Sequence, residues 1–382
     1  MPAERPSLRD RTREEIFRLI HDSSGMSRST LAEVTGLPAS TVAHAVSRLL
    51  AEGRITQSGP ALGGPGSGSG RPAAVLNAVA TGASTGAIDF GHQHFRVAVG
   101  DDLGTVVDEA TVHLDVDQAP LVALEQAAQQ LLRLCERHGI SSLAGVAAGV
   151  PGPIDKHNGL VCSTTTLSNW AGINPAAELE RLLSVPAEVR NDASLGALGE
   201  LHRGAGQQHR DFLYIKASHG IGAGLVADGK LYQGGSGFAG EIGHTIIAGR
   251  PELCRCGNRG CLEAVVSVPS VEEQLTHTHP HLDRGSIDLA RLDDPISARV
   301  LNEAGRTLGT VLANFCDLIN PTALIIGGGL GASGRPLIDG VRASVNRFAQ
   351  PAVASAVVVL PAALGQRAEL IGALLLAGAH SV

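Results

Sequence analysis

Apolar residues recur at helical spacing in three short windows near the N-terminus. Ile16, Leu19 and Ile20 fall on one face behind an arginine-rich start at Arg9, Arg11 and Arg13, which predicts a first helix. Ser27 is placed to cap a second helix carrying Leu31 and Val34, and Gly36 ends it. Pro38 suits the first turn of a third. In that helix Val42, Val46, Leu49 and Leu50 share one face, while Ser40, Thr41, His44, Ser47 and Arg48 share the other. A short turn between two helices, the second with small polar and basic residues on its free face, is helix-turn-helix layout. The second helix would enter the major groove of DNA and present those five side chains to base edges.

The pattern then shortens. Gly53 to Thr56 and Val75-Leu76 predict two short strands on either side of a glycine-rich stretch from Gly59 to Gly70, together a wing. Arg71, between Gly70 and Pro72, is held extended and fits a narrow minor groove. A protein-binding three-helix module with a flexible linker is the plainer alternative; a wing beside a polar face favours DNA. From Thr81 onward strands and helices alternate. Strands are expected at Ala87 to Phe90, Phe95 to Val99, Val106 to Val112, Gly145 to Val150, Phe212 to Ala217, Gly222 to Ala227 and Ala323 to Ile326. Helices are expected over Leu121 to His138, after Asn191-Asp192, and over Ile296 to Leu318. Such alternation indicates an α/β protein with ligands at the carboxyl ends of its strands.

Composition narrows the partners. A hydrophobic content of 43% in 382 residues suffices for two or three cores. The net charge of -7 argues against a uniformly basic nucleic-acid binder, yet the first 80 residues carry nine arginines against seven acidic groups. No leader pattern or membrane-length apolar run is evident, and Leu370 to Ala379 reads as a core helix. A cytoplasmic, reducing location follows, in which cysteines are metal ligands sooner than disulfides. Cys135, Cys162 and Cys316 stand apart and read as packing residues.

The other three cysteines fall within eight residues, at Cys254, Cys256 and Cys261. Gly257 and Gly260 let the backbone fold back between them, so the thiolates suit one tetrahedral zinc ion, with His244 upstream as fourth ligand. Three unligated thiols are the plainer reading. The interleaved Glu241 and Glu263 are poorer zinc ligands and suit the hydroxyls of a sugar held beside the metal.

Five stretches in order, Gly149 to Asp155, Asn191 to Ala193, Gly220 to Gly224, Gly240 to His244 and Cys254 to Glu263, make the chain resemble the ROK family of repressors, open reading frames and sugar kinases. The resemblance is to its repressor branch. It implies a winged helix-turn-helix head on an actin/hexokinase-like body of two lobes. The expected boundaries are 1–80 for the head, 81–190 for the first lobe, completed by a C-terminal helix at 366–382, and 191–365 for the second lobe with the zinc and sugar motifs. The resemblance further implies that Asn191, Asp192, Glu241, His244 and Glu263, together with Thr165 and Asn169, bind sugar hydroxyls. Asp192 aligns with the kinases' general base; capping a helix is its plainer role. The kinases' phosphate loops are D-x-G-G-T and G-T-G-I-G, whereas this chain has Asp89-Phe90-Gly91-His92-Gln93 and Ser218-His219-Gly220-Ile221-Gly222. A sugar or phosphosugar sensor without kinase turnover is therefore expected. It would act as a homodimer or homotetramer on palindromic double-stranded operator DNA.

Overall fold

The computed structural model describes residues 8–21, 25–60, 74–79, 82–162 and 168–378. Two compact units, Met1–Ala83 and Ser84–Val382, make up the chain.

The first unit holds helices α1 (Leu8–His21), α2 (Arg28–Thr35) and α3 (Ala39–Ala51), then strands β1 (Ile55–Pro60) and β2 (Ala74–Ala78). Its core is Ile16, Phe17, Ile20, Leu31, Val42, Val46 and Leu49, closed by Ile55 and Leu76 of the strand pair. Ser27 caps α2, its side chain accepting from the Thr30 amide at 3.1 Å. Gly36 ends that helix in the left-handed region at φ 65°, where glycine carries no Cβ penalty. Pro38 occupies the cap of α3 and not its first turn, because helical residues begin at Ala39. β1 and β2 pair antiparallel, with Ile55 opposite Ala78, and Met26 bridges to Leu76.

The second unit opens with an antiparallel meander, β3 (Ser84–Phe90), β4 (His94–Asp101) and β5 (Val106–His113). Helix α4 (Pro120–Arg137) leads to β6 (Gly145–Val150), and α5 (Pro175–Leu183) leads to β7 (Ala187–Asn191). The sheet order is β5-β4-β3-β6-β7, with β6 parallel to both its neighbours. β6 is buried along its whole length, as a central parallel strand must be. Helix α6 (Asp192–Arg203) follows directly.

The plan then repeats. β8 (Phe212–Ala217), β9 (Ile221–Ala227) and β10 (Lys230–Tyr232) form a second meander. Helices α7 (Leu262–Val266), α8 (Val268–Thr278) and α9 (Pro295–Ile319) precede β11 (Ala323–Gly327). After α10 (Gly328–Gly331), α11 (Arg335–Phe348) and α12 (Pro351–Ala356), β12 (Val358–Pro361) completes the order β10-β9-β8-β11-β12. Both sheets thus have three antiparallel strands followed by two parallel ones. The last helix, α13 (Ala368–Gly378), is apolar on nearly every side and buried at every residue except the half-buried Leu376.

Helices α6 and α13 form the layer between the sheets. Leu195, Leu370, Ala373, Leu374 and Ala377 pack with Ala87, Ala98 and Ala147 of the first sheet. Ala197 and Ala368 pack with Phe212, Tyr214, Val226 and Ile325 of the second. The helix pair is unusually close: a side chain at Gly372 would run into the Leu195 carbonyl. The arrangement carries the start of α6 to the ends of β3 and β8.

Candidate functional site

The cysteine loop folds back through two left-handed glycines, Gly257 at φ 88° and Gly260 at φ 76°. The Cys254 amide donates to the Asn258 carbonyl at 2.8 Å, and the Gly257 amide to the Cys254 carbonyl at 3.0 Å. His244 ends a single turn at Ile242–His244, and the Leu262 amide ties that turn to the loop by donating to the Thr245 carbonyl at 2.9 Å. Gly240 fixes the approach, since its φ of 103° and its contact with the Ala223 carbonyl exclude a side chain. One donor atom from each of His244, Cys254, Cys256 and Cys261 lies within 4.8 Å of the other three. Cys256 Sγ is 3.6 Å from Cys261 Sγ, and Cys254 Sγ is 3.8 Å from His244 Nδ1. A tetrahedral ion with metal–sulfur bonds of ~2.3 Å needs ligand atoms roughly 3.5–3.8 Å apart, so these donors fit one. Nδ1 is the histidine nitrogen on the cluster side, which leaves Nε2 for another partner.

Glu263 joins that loop to the β8–β9 turn. Its Oε1 accepts from Cys254 Sγ at 3.1 Å and lies 3.8 Å from His244 Nδ1, while Oε2 faces Gly220 at the β8–β9 turn. Glu241, three residues before His244, is exposed. Asn191 is the cap of α6: its Oδ1 accepts from the Ser194 amide at 3.2 Å and its Nδ2 donates to the Gly152 carbonyl at 3.3 Å. Asp192 is therefore not the cap. It is the first helical residue, buried, with Oδ1 accepting from the Ala193 amide at 2.7 Å. Asn169 is exposed and donates its amide to the Asp117 carbonyl at 3.0 Å. Thr165 lies outside the described residues.

Sequence reasoning missed the residue nearest Asp192. Lys216 Nζ is 2.8 Å from Asp192 Oδ2, 3.7 Å from Glu369 Oε1 and 3.9 Å from Asp89 Oδ1. Arg96 donates to the other oxygen of Asp89 at 2.7 Å, and the Tyr214 hydroxyl donates to Glu369 at 2.9 Å. Burial works to lower the lysine, but Asp192, Glu369 and Asp89 outweigh it and hold it above the ordinary value, so it is a permanent cation. Burial works to raise Asp89, and Lys216 and Arg96 reverse that, so it is held ionised. Only the rarity of lysine in this chain could have drawn attention to the position. The two sequences at the expected phosphate loops also meet: the rings of His92 and His219 are 5.6 Å apart, and His92 Nδ1 is 2.8 Å from Asp117 Oδ2.

On α3, Ser40, Thr41, His44, Ser47 and Arg48 are all exposed, opposite the buried Val42, Val46 and Leu49. Ser47 turns its hydroxyl back to the Ala43 carbonyl at 2.8 Å. Arg71 falls outside the described residues. Cys135 and Cys316 are buried as expected of packing residues; Cys162 is exposed, because it follows the edge bridge at Val161 and not a core element. Among the described residues no helix is long and apolar enough to cross a membrane.

A helical head with a two-stranded wing, joined to a body of two like sheets around a helix pair, defines a winged helix-turn-helix protein with an actin/hexokinase-like α/β body. The chain belongs to the ROK family, which residues 85–380 match, while residues 9–56 match the winged helix-turn-helix DNA-binding family. It is 31% identical over 360 residues to the xylose repressor of Bacillus spizizenii, covering 94% of this chain and 92% of that protein. The crystal structure of a ROK family transcriptional regulator, a homologue of the E. coli Mlc protein, superposes with a TM-score of 0.72 over 97% of this chain and 95% of that one, at 22% identity. A ROK family glucokinase from Streptomyces griseus, solved with glucose and AMPPNP, gives a TM-score of 0.67 and 28% identity over 77% of this chain and 99% of its own.

Proposed function

We propose that this protein is a sugar-responsive, DNA-binding transcriptional repressor whose body senses a sugar or phosphosugar. The observation that carries the reading is extent. Similarity to the xylose repressor runs through 94% of the chain, head included, whereas similarity to the glucokinase stops at 77%. The exposed polar face of α3 and Arg71 contact the operator, the former in the major groove and the latter in the minor. Asn191, Asp192, Glu241, His244 and Glu263, with Thr165 and Asn169 at the edge, hold the sugar hydroxyls. His244, Cys254, Cys256 and Cys261 hold a structural zinc ion that stiffens the loop carrying Glu241 and Glu263. The body divides into a first lobe at 81–190, completed by the C-terminal helix, and a second at 191–365. The protein works in the cytoplasm as a homodimer or homotetramer on a palindromic site.

The ligand shifts DNA binding only through unequal affinity for two conformations of the body. Thermal-shift screening of a sugar panel, with and without zinc, followed by operator-binding assays in the responding sugar, tests this. A zinc-dependent shift that changes operator affinity is the expected result.

Sugar kinase activity is the competing reading, favoured by the likeness to the glucokinase and by the retained Asp192. Against it, His92 and Gln93 stand where a phosphate loop has glycine and threonine, and His219 replaces a second threonine. Cradling a phosphate needs backbone amides exposed by small residues. ADP release across a panel of hexoses, dependent on Asp192, would establish the kinase.

A further inference from the structure

Lys156, Lys216 and Lys230 are the only lysines of this chain, which uses arginine 27 times. One of the three lies where β3, β8, α6 and α13 converge, with three carboxylates within 4 Å of its nitrogen. The choice of side chain follows from that setting. A guanidinium is a planar fork that pairs one carboxylate well, whereas an ammonium is a compact point charge that can face three. Three carboxylate oxygens around one point are also what a hard divalent cation takes. Asp89 Oδ1 is buried and has no hydrogen-bond partner among the described residues; at 3.9 Å it meets Lys216 by charge alone.

We propose that Lys216 is a tethered cation filling a carboxylate cluster that, without it, would bind a divalent metal ion. This deepens the sensor reading above and rests on it for the role of Asp192 toward sugar. The consequence is chemical. Phosphoryl transfer needs a metal ion that bridges phosphate oxygens beside the attacking hydroxyl and its base. Lys216 supplies the charge but no open coordination position. It also occupies Oδ2 of Asp192, the oxygen left over once Oδ1 has accepted from the Ala193 amide. Asp192 is thereby fixed as an acceptor for a sugar hydroxyl and is deprived of the metal that transfer requires. Lys216 acts here as a positioning residue, through Asp192.

The test is a titration with Mn2+ of the full, zinc-loaded chain, read by electron paramagnetic resonance. Lys216→Ala is expected to take up about one more Mn2+ per chain than the wild type, and Lys216→Arg none. Adding Asp89→Asn to Lys216→Ala should weaken the extra site by at least about tenfold. A Lys216→Ala chain that titrates like the wild type, or an extra ion indifferent to Asp89→Asn, overturns the proposal. Should the alanine variant not fold, 15N-lysine labelling of the unaltered chain decides. One slowly exchanging ammonium signal that moves on Asp89→Asn substitution supports it, and the absence of any such signal overturns it. A wild type that binds no sugar is a different failure: it sinks the sensor reading, and the metal titration still decides on Lys216.

Discussion

At the scale of single residues, three side chains carry separable predictions. Cys256 supplies one of four converging donors, so Cys256→Ser should lower zinc content from about one per chain toward zero and abolish the sugar-induced melting shift. Elemental analysis beside a melting curve checks both. Asp192 is buried with both oxygens engaged, and the reading gives it a hydrogen bond to the sugar. Losing a hydrogen bond to a charged group costs ~1.5–3 kcal/mol, so Asp192→Asn should weaken sugar binding by roughly ten- to a hundredfold in calorimetry. His94 gives a pH dependence. Burial, then the nearby Arg96, hold its imidazole below the ordinary 6.5. The unfolded chain therefore takes up the proton more readily, and this part of the stability is complete above pH 6.5 and lost as pH falls through 6.5 toward the lower folded value. The chain should melt earlier at about pH 5.5 than at about pH 7.5, and His94→Asn should flatten that slope.

At the scale of elements, what was legible in the sequence was local. The cap at Ser27, the two faces of α3 and the cysteine loop with His244 each depend on residues within about twenty positions, and side-chain period or ligand spacing exposes them. Lys216 was not legible, because its partners Asp89, Asp192 and Glu369 come from β3, α6 and α13 and meet only after the sheets have closed on the helix pair. Glu369 stands just before the apolar stretch Leu370 to Ala379, and nothing in its local pattern marks it. Aspartate is a good cap, which makes Asp192 a candidate in the sequence; the structure gives that task to Asn191, one residue earlier. The close pairing of α6 and α13 was equally invisible, and it predicts a sharp sensitivity. Gly372→Val should destabilise the body by about 1–3 kcal/mol or more, since the new side chain meets the Leu195 carbonyl. Chemical denaturation followed at Trp170, buried in the first sheet's core, measures it.

At the level of the whole molecule, a winged helix-turn-helix head is followed by a body that carries a Cys3His cluster able to hold a metal ion and a buried lysine among three carboxylates. On the proposed function, sugar bound to the body alters DNA binding by the head. Fluorescence anisotropy of a labelled operator, titrated with the full zinc-loaded chain in the presence and absence of the responding sugar, tests that most directly. The expected result is a shift in operator affinity of about tenfold or more in the wild type, and in Asp192→Asn the same shift only at roughly ten- to a hundredfold higher sugar concentration. Identical binding curves with and without a sugar that demonstrably binds the body would contradict it.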